Sequence, residues 1–236
     1  MEDAGFLPRT GIQYHWYNRG YDSFDDFLGA LNSRKRKNLR KERKQVRDAG
    51  YSFEVLSGDD LKATHWDRFY AFYHDTSDRK WGQAYLTREF FELLHERMRD
   101  RTVLVSAFRD GQMVAGALNL IGAETLYGRN WGTMDRTPLL HFETCYYQAI
   151  DIAIEHGLKT VEAGAQGEHK IQRGYEPVIT HSAHFIADPG LKRAVAQFLR
   201  QEQSHIAQDR DYILAEHSPY KQASEQSSSD VSKKKA

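Results

Sequence analysis

The chain has 236 residues, 40% of them hydrophobic, with 33 basic and 33 acidic side chains. This length predicts one globular domain, alone or with a helical extension, and the balanced charge excludes a strong overall field for nucleic acid. Because no apolar run approaches about 18 residues and no signal segment is visible, we expect no membrane span and a cytoplasmic location. The single cysteine, Cys145, excludes an internal disulfide and a four-cysteine zinc site.

The first residues predict a strand without a neighbouring partner. Ile12, Tyr14 and Trp16 alternate along the chain, and no second strand lies nearby in sequence. We interpret residues 1–22 as a strand-like segment at a severed end. An open aromatic strand favours either folding back onto the chain's own sheet or forming a homodimer.

Helical patterns follow. Ser23 is predicted to cap a short helix, and Ser33 a second one that Gly50 ends. The second helix is strongly basic, with nine cationic residues among the fourteen from Arg34 to Arg47. Two further helices, over about residues 60–74 and from Thr87, carry aromatic stripes.

The second half of the chain changes to strand periodicity. Strands over 103–108, 113–121 and 126–131, with an Asp-Gly turn after the first, predict an antiparallel meander. The remaining predicted elements are a helix over 139–156, strands over 160–163 and 180–187, and a helix after Pro189. This order predicts an α/β (α+β) fold. Residues 212–236 are rich in Ser, Gln and Lys, and we expect a disordered tail there.

The segment Gly164–Lys170 is the strongest functional signal. Its Gly-Ala-Gln-Gly run cannot form a stable helix or a packed strand, and an acid, an imidazole and a cation follow at once. A bare backbone beside titratable side chains is typical of a binding or catalytic loop.

Four motifs together resemble a known family. They are Gly128–Gly132, His141–Gln148, Glu162–Lys170 and Thr180–His184. In them the chain is similar to the FemAB-like predicted N-acyltransferases of peptidoglycan biosynthesis or recognition, within the GCN5-related N-acetyltransferase superfamily. The resemblance implies a mixed central sheet with helices on both faces, an acetyltransferase-like domain over 23–211, and a missing N-terminal lobe.

The resemblance also implies the chemistry: transfer of an acyl or aminoacyl group to a small-molecule or peptide amine. The donor would be an acyl-CoA, such as acetyl-CoA, or an aminoacyl-tRNA, and no metal is expected. The donor phosphates would lie in the loop from Arg129 to Leu140, with Arg129, Trp131 and Gly132 as contacts. Met134 stands where the family pattern has a small residue, a departure that favours the RNA-borne donor.

The catalytic candidates are Glu143, Glu162, Glu168 and His169, any of which can supply the base that takes a proton from the amine. Structural alternatives stay open: Glu143 favouring a helix N-terminus, and Glu162 paired on a buried strand. Cys145 is interpreted as core packing rather than an acyl-cysteine nucleophile. A zinc site built from His169, His184 and a carboxylate is the disfavoured alternative.

Further residues are candidates for binding. Lys170 and Arg173 would clamp a donor phosphate or carboxylate, or form a solvated pair. Trp81, Tyr85 and His184 would contact the acceptor. The basic helix 34–47 would contact RNA phosphates or an anionic cell-wall precursor, or be a solvated face. The rival to an enzyme is a non-catalytic module that binds a peptidoglycan-type or RNA ligand.

Overall fold

The computed structural model describes residues 2–79, 82–165 and 167–221. These residues form two compact units. The core unit is Trp16–Ala163, and the terminal unit joins the residues up to His15 with those from Gly164 onward. Both units combine helices with strands, and the predicted α/β class is confirmed.

The elements follow in chain order. The strands are β1 (Leu7–Tyr17), β2 (Tyr51–Ser57), β3 (Thr102–Arg109), β4 (Gln112–Ile121), β5 (Thr125–Thr133), β6 (Thr160–Glu162) and β7 (Glu176–His184). The helices are α1 (Phe24–Ala30), α2 (Ser33–Asp48), α3 (Ala63–Arg79), α4 (Arg88–Met98), α5 (Leu140–Phe142), α6 (Gln148–Glu155) and α7 (Pro189–His217). A π-helical turn (Glu143–Tyr147) joins α5 to α6, and a 3₁₀ helix (Glu168–Arg173) precedes β7.

The core unit contains a mixed sheet. β2, β3, β4 and β5 pair antiparallel in that order, and β6 pairs parallel with β5. The predicted meander is therefore confirmed. Sequence analysis assigned no element to the segment of β2, which extends the meander at its edge. The parallel pairing of β6 follows from the intervening helix, since parallel neighbours need a long crossover connection.

Hydrophobic side chains of the core unit pack on both faces of this sheet. Leu104 of β3 belongs to a cluster with Phe69 and Phe91 of α3 and α4. Ala107, three residues further along the same strand, belongs to a second cluster with Leu140 of α5. Because successive strand side chains alternate, an odd separation places Leu104 and Ala107 on opposite faces. Helices thus cover both faces of the core-unit sheet, as expected.

α3 packs unusually close to the sheet backbone. Gly132 of β5 is buried, and a Cβ added there would stand 2.5 Å from the carbonyl carbon of Phe72. A Cβ added to Gly116 of β4, which is directly paired with Gly132, would stand 2.9 Å from a ring carbon of Phe69. Only glycine permits this approach of helix and strand.

Helix capping follows the local sequence, with one correction. Ser23 caps α1 as predicted, since its side chain accepts a hydrogen bond from the Asp26 amide. The cap of α2 is Asn32 rather than Ser33: the Asn32 side chain accepts from the Lys35 amide, and Ser33 is already helical. Both residue types cap well, and the asparagine precedes the serine.

The terminal unit is built on an antiparallel pair of strands from the two ends of the chain. β1 pairs with β7 from Leu7 opposite His184 to His15 opposite Glu176. Of the two outcomes expected for the first strand, folding back onto the chain is the one observed. Arg9 of β1 also donates two hydrogen bonds to Glu202 of α7, at 2.6 and 2.8 Å.

The expected domain limits stay predictions. The boundary at 211/212 falls within α7, and residues 222–236 of the expected tail lie outside the described residues. Within the described ranges, no helix has the length and apolarity needed to cross a bilayer.

Candidate functional site

The loop after β6 forms a compact cluster in the terminal unit. The carbonyl oxygen of Gly164 accepts hydrogen bonds from the Tyr14 amide at 3.1 Å and from Lys170 Nζ at 3.2 Å. The Lys170 ammonium also lies 5.7 Å from the centre of the Tyr14 ring. β1 therefore holds the irregular loop in place, while Gln166, within the loop, lies outside the described residues.

His169 is packed against the loop backbone. A Cβ added to Gly167 would stand 2.4 Å from Cε1 of the His169 ring, and Gly167 itself has φ +99°. Partial desolvation, followed by the charges of Arg173 and Lys170, lowers the pKa of His169 below its ordinary value. The ring remains accessible to solvent, and the lowered pKa favours its neutral form at pH 7. A neutral, accessible imidazole has the properties of a general base.

Lys170 and Arg173 are buried, with 3% and 6% of their surfaces exposed, so the alternative of a solvated pair is wrong. Arg173 Nη1 donates to the His169 carbonyl oxygen at 2.8 Å, and Lys170 donates to Gly164. Both cations therefore hydrogen-bond the loop backbone. Phosphate binding by this pair remains a prediction.

Two further candidate carboxylates, Glu168 and Glu162, differ in position. Glu168 is exposed at the start of the 3₁₀ helix, and its charge acts on Tyr14: burial and then Glu168 raise the pKa of that phenol. Glu162 is the last residue of β6 in the core unit, opposite Tyr127. A cleft shared by Glu143, Glu162 and Glu168 stays a prediction.

Glu143 lies in the π-helical turn of the core unit and is 2% exposed. Arg43 donates three hydrogen bonds to its carboxylate at 2.8 to 3.2 Å and a fourth to Asp151 at 2.6 Å. Gln148 donates to Glu143 at 2.9 Å. Burial acts to lower the pKa of Arg43, but Asp151 and Glu143 raise it overall. The Glu143 carboxylate is therefore engaged in a buried ion pair, and its role as a base remains a prediction.

Sequence analysis did not identify Arg43. It treated the nine cations of α2 as one set, although Leu39, Arg43 and Val46 are spaced at i, i+4 and i+7. That spacing places Arg43 on the apolar face of the helix, where it meets the ring of Phe24 at 4.3 Å. The signal in the sequence that could have identified Arg43 was therefore a cation on the apolar face of α2.

The predicted donor contacts Arg129, Trp131 and Gly132 are strand residues of β5, not loop residues, which corrects their expected placement. The meander strand is longer than predicted because its ladder with β4 continues to Thr133. Arg129 is exposed, whereas Gly132 is buried under α3. Contact between any of these three residues and a donor remains a prediction.

The loop that follows β5 is held by Asp135. Its carboxylate accepts hydrogen bonds from Tyr51, from the Thr137 amide at 3.0 Å and from Arg109 at 3.3 Å. Desolvation would raise the pKa of Asp135, but these hydrogen bonds lower it below its ordinary value. The network fixes the segment between β5 and α5.

The predicted acceptor contacts are dispersed in sequence. Trp81 lies outside the described residues, and Tyr85 is 77% exposed, with its ring 6.4 Å from that of Tyr73. His184 is exposed on β7 and contacts Ser182 at 2.9 Å.

Cys145 is half-buried. Among the described residues, no three His, Cys, Asp or Glu side chains are grouped as a metal site would require.

Comparison with known proteins gives one family match and several matches to solved structures. The FemAB-like family, described as peptidoglycan biosynthesis/recognition, matches residues 1–222. No curated protein matches the chain. Solved structures share the fold: L-PGS from Bacillus licheniformis at 12% identity and TM-score 0.56, covering 82% of this chain and 67% of that one. FemX matches at 12% identity and TM-score 0.56, covering 78% of this chain and 64% of that one.

A third match is the C-terminal domain of a putative lysylphosphatidylglycerol synthetase from Agrobacterium fabrum, at 13% identity and TM-score 0.50, covering 73% and 52%. The chain thus spans between 52% and 67% of the lengths of these three solved chains. At such low identity the structural matches show the fold, and the family assignment rests on the sequence match. Because that match extends over 1–222 of the 236 residues, the chain belongs to the FemAB-like family.

Proposed function

We propose that the chain is an acyltransferase that moves an acyl or aminoacyl group onto an amine of a peptidoglycan-type acceptor. Membership of the FemAB-like family supports a peptidoglycan-related transferase in general. The single observation that carries the finer proposal is the position of His169 in the loop of the terminal unit beside two buried cations, Lys170 and Arg173.

The chemistry follows from that arrangement. An amine acceptor is protonated near pH 7 and must lose a proton before its nitrogen can attack a carbonyl carbon. The ammonium gives this proton to solvent. As the lone pair of the free amine forms the new C–N bond, the His169 ring in its neutral form accepts a second proton from the nitrogen. The C–O or C–S bond to the carrier breaks, and the leaving oxygen or sulfur takes up that proton from His169.

The donor is proposed to be RNA-borne, with acyl-CoA as the second candidate. Exposed cations on α2 support the first: Arg34, Lys37 and Lys41 are spaced at i, i+3 and i+7 and so lie on one helical face. Exposed Lys and Arg side chains bind nucleic acid by neutralising its phosphates. Coenzyme A remains the alternative donor. The family resemblance places the donor phosphates in the segment after β5, and Asp135 holds that segment in place by hydrogen bonds.

The test is a transfer assay with the full chain. Muropeptides bearing a free amine are incubated with acetyl-CoA or with aminoacyl-tRNA, and acylated product is detected by mass spectrometry. We expect product with the wild type, and a loss of about 10²- to 10⁴-fold for His169→Gln. His181→Gln, which changes an exposed histidine of β7, is the control.

Two results would contradict the proposal. Thermal stabilisation by muropeptide without product from either donor would support a non-catalytic binding module. A His169→Gln variant as active as the wild type would remove His169 as the base and leave Glu168 or Glu162 in that role.

A further inference from the structure

Tyr14 is fixed at the centre of the loop cluster. Its main chain is held on both sides, by pairing opposite Pro177 of β7 and by the amide hydrogen bond to Gly164. Its side chain is only 5% exposed, and its ring is positioned over the Lys170 ammonium. The side chain is therefore rigidly placed.

The Tyr14 hydroxyl makes no hydrogen bond to any residue that the structure describes. Other buried tyrosines of the chain differ in this respect. The Tyr51 hydroxyl donates to Asp135, the Tyr73 hydroxyl accepts from the amides of Tyr85 and Leu86, and the Tyr147 hydroxyl donates to Glu42. The Tyr14 hydroxyl is not shut off from solvent. A hydroxyl carried by a buried, fixed ring next to Lys170 is therefore available to a ligand.

We propose that Tyr14 is a catalytic hydrogen-bond donor whose hydroxyl contacts the carbonyl oxygen of the acyl group being transferred. This inference rests on the proposed function. As the amine nitrogen forms its bond to the carbonyl carbon, the π electron pair moves onto the oxygen, where the Tyr14 hydroxyl stabilises the negative charge. The pair returns as the carrier leaves, so Tyr14 ends the cycle with its own proton.

The surroundings suit a donor rather than a base. Burial and the negative charge of Glu168 raise the pKa of the Tyr14 phenol, so the hydroxyl keeps its proton at neutral pH. The Lys170 ammonium adds positive charge under the ring and stabilises an adjacent oxyanion by Coulomb attraction. Proton removal is left to His169, whose lowered pKa favours the neutral ring in the same pH range.

The test is Tyr14→Phe, which removes the hydroxyl and keeps the ring over Lys170. We expect kcat for transfer to fall by about 10²- to 10³-fold, as it does when one oxyanion donor is lost, with KM nearly unchanged. The melting temperature is expected to stay at the wild-type value, because no described hydrogen bond is lost. Tyr212→Phe, at a 60% exposed position of α7, is the matched control.

A second measurement does not depend on turnover. In protein labelled with ¹³C at tyrosine Cζ, the resonance that Tyr14→Phe removes is assigned to Tyr14. We expect it to shift when acetyl-CoA or aminoacyl-tRNA is added without acceptor, while the Tyr212 resonance stays in place.

The outcomes separate the two proposals. Wild-type transfer with an undiminished Tyr14→Phe rate overturns the role of Tyr14 and leaves the proposed function intact. A loss of rate matched by a large fall in melting temperature shows a structural role and overturns it also. Absence of wild-type transfer contradicts the proposed function. The contact between Tyr14 and the donor is then tested by the NMR resonance alone: if the Tyr14 resonance does not shift with either donor, the proposed contact is overturned.

Discussion

Arg43 and Glu143, 100 residues apart in sequence, form a buried ion pair in which the guanidinium contacts both oxygens of the carboxylate. The pair joins the basic helix α2 to the π-helical turn before α6. Their side chains are 14% and 2% exposed. Removing one member of such a pair leaves the other charge buried without compensation, and this determines the first prediction.

Arg43→Met is expected to lower the free energy of unfolding by about 3 to 5 kcal/mol. The measurement is chemical denaturation. Arg40→Met is the matched control: Arg40 also pairs with an acid, Asp25, but both side chains are largely exposed, so we expect a loss of at most about 1 kcal/mol. Equal losses in the two variants would show that burial of the Arg43 pair has no energetic effect.

Gly132→Ala is expected to destabilise the core unit by about 1 to 3 kcal/mol, because the new methyl group overlaps the Phe72 main chain. Gly29→Ala is the control, since a Cβ at Gly29 of α1 meets no atom within 4 Å. There the substitution is expected to be neutral or to stabilise by up to about 1 kcal/mol. Thermal unfolding of both variants distinguishes close packing from a general effect of adding a methyl group.

Asp135→Asn is expected to reduce the fall in the free energy of unfolding that occurs as the solution is made acidic. The folded-state pKa of Asp135 lies below its ordinary value, so its contribution is present above about pH 4 and is lost as the pH falls through the folded pKa. Unfolding measured against pH, with the exposed residue Asp100 changed to Asn as control, checks this. An unchanged fall in Asp135→Asn would contradict the assigned network.

The lowered pKa of His169 gives an effect of the same sign in a higher pH range. The unfolded chain binds a proton at this residue more readily than the folded chain, so stability rises with pH just below about 6.5 and is constant above it. We expect His169→Gln to remove this part of the slope. NMR titration of the His169 ring gives the pKa directly, and a value at or above 6.5 would contradict the prediction.

The fold was predictable where its causes are local. Ser23 caps α1 because its hydroxyl reaches an amide three residues away, and Gly50 ends α2 with a φ of +84° that glycine adopts without strain. The partner of β1 was not predictable in this way, because β7 lies more than 150 residues further along the chain. Pairing at that distance leaves no periodic signal in a single sequence.

The candidate site was predictable in composition and not in geometry. The Gly-rich loop and its His169 were identified because their residue types are unusual in regular structure. The inward direction of Lys170 and Arg173 was not, since a cation in a loop reads as solvated until its backbone acceptors are known. Tyr14 was identified only as part of an alternating aromatic strand, and its open hydroxyl depends on contacts that sequence does not show.

The pairing of β1 with β7 has a consequence for synthesis on the ribosome. The core unit is continuous from Trp16 to Ala163, so all of its strands emerge before β7 exists, and we expect it to fold while the first strand still lacks β7. The loop that carries His169, and the contact of that loop with Tyr14, are then completed last. Pulse-labelling hydrogen exchange is expected to show amides of β3 and β4 protected before those of β1. We therefore expect the loop that carries His169 to form only on a chain whose core is already in place.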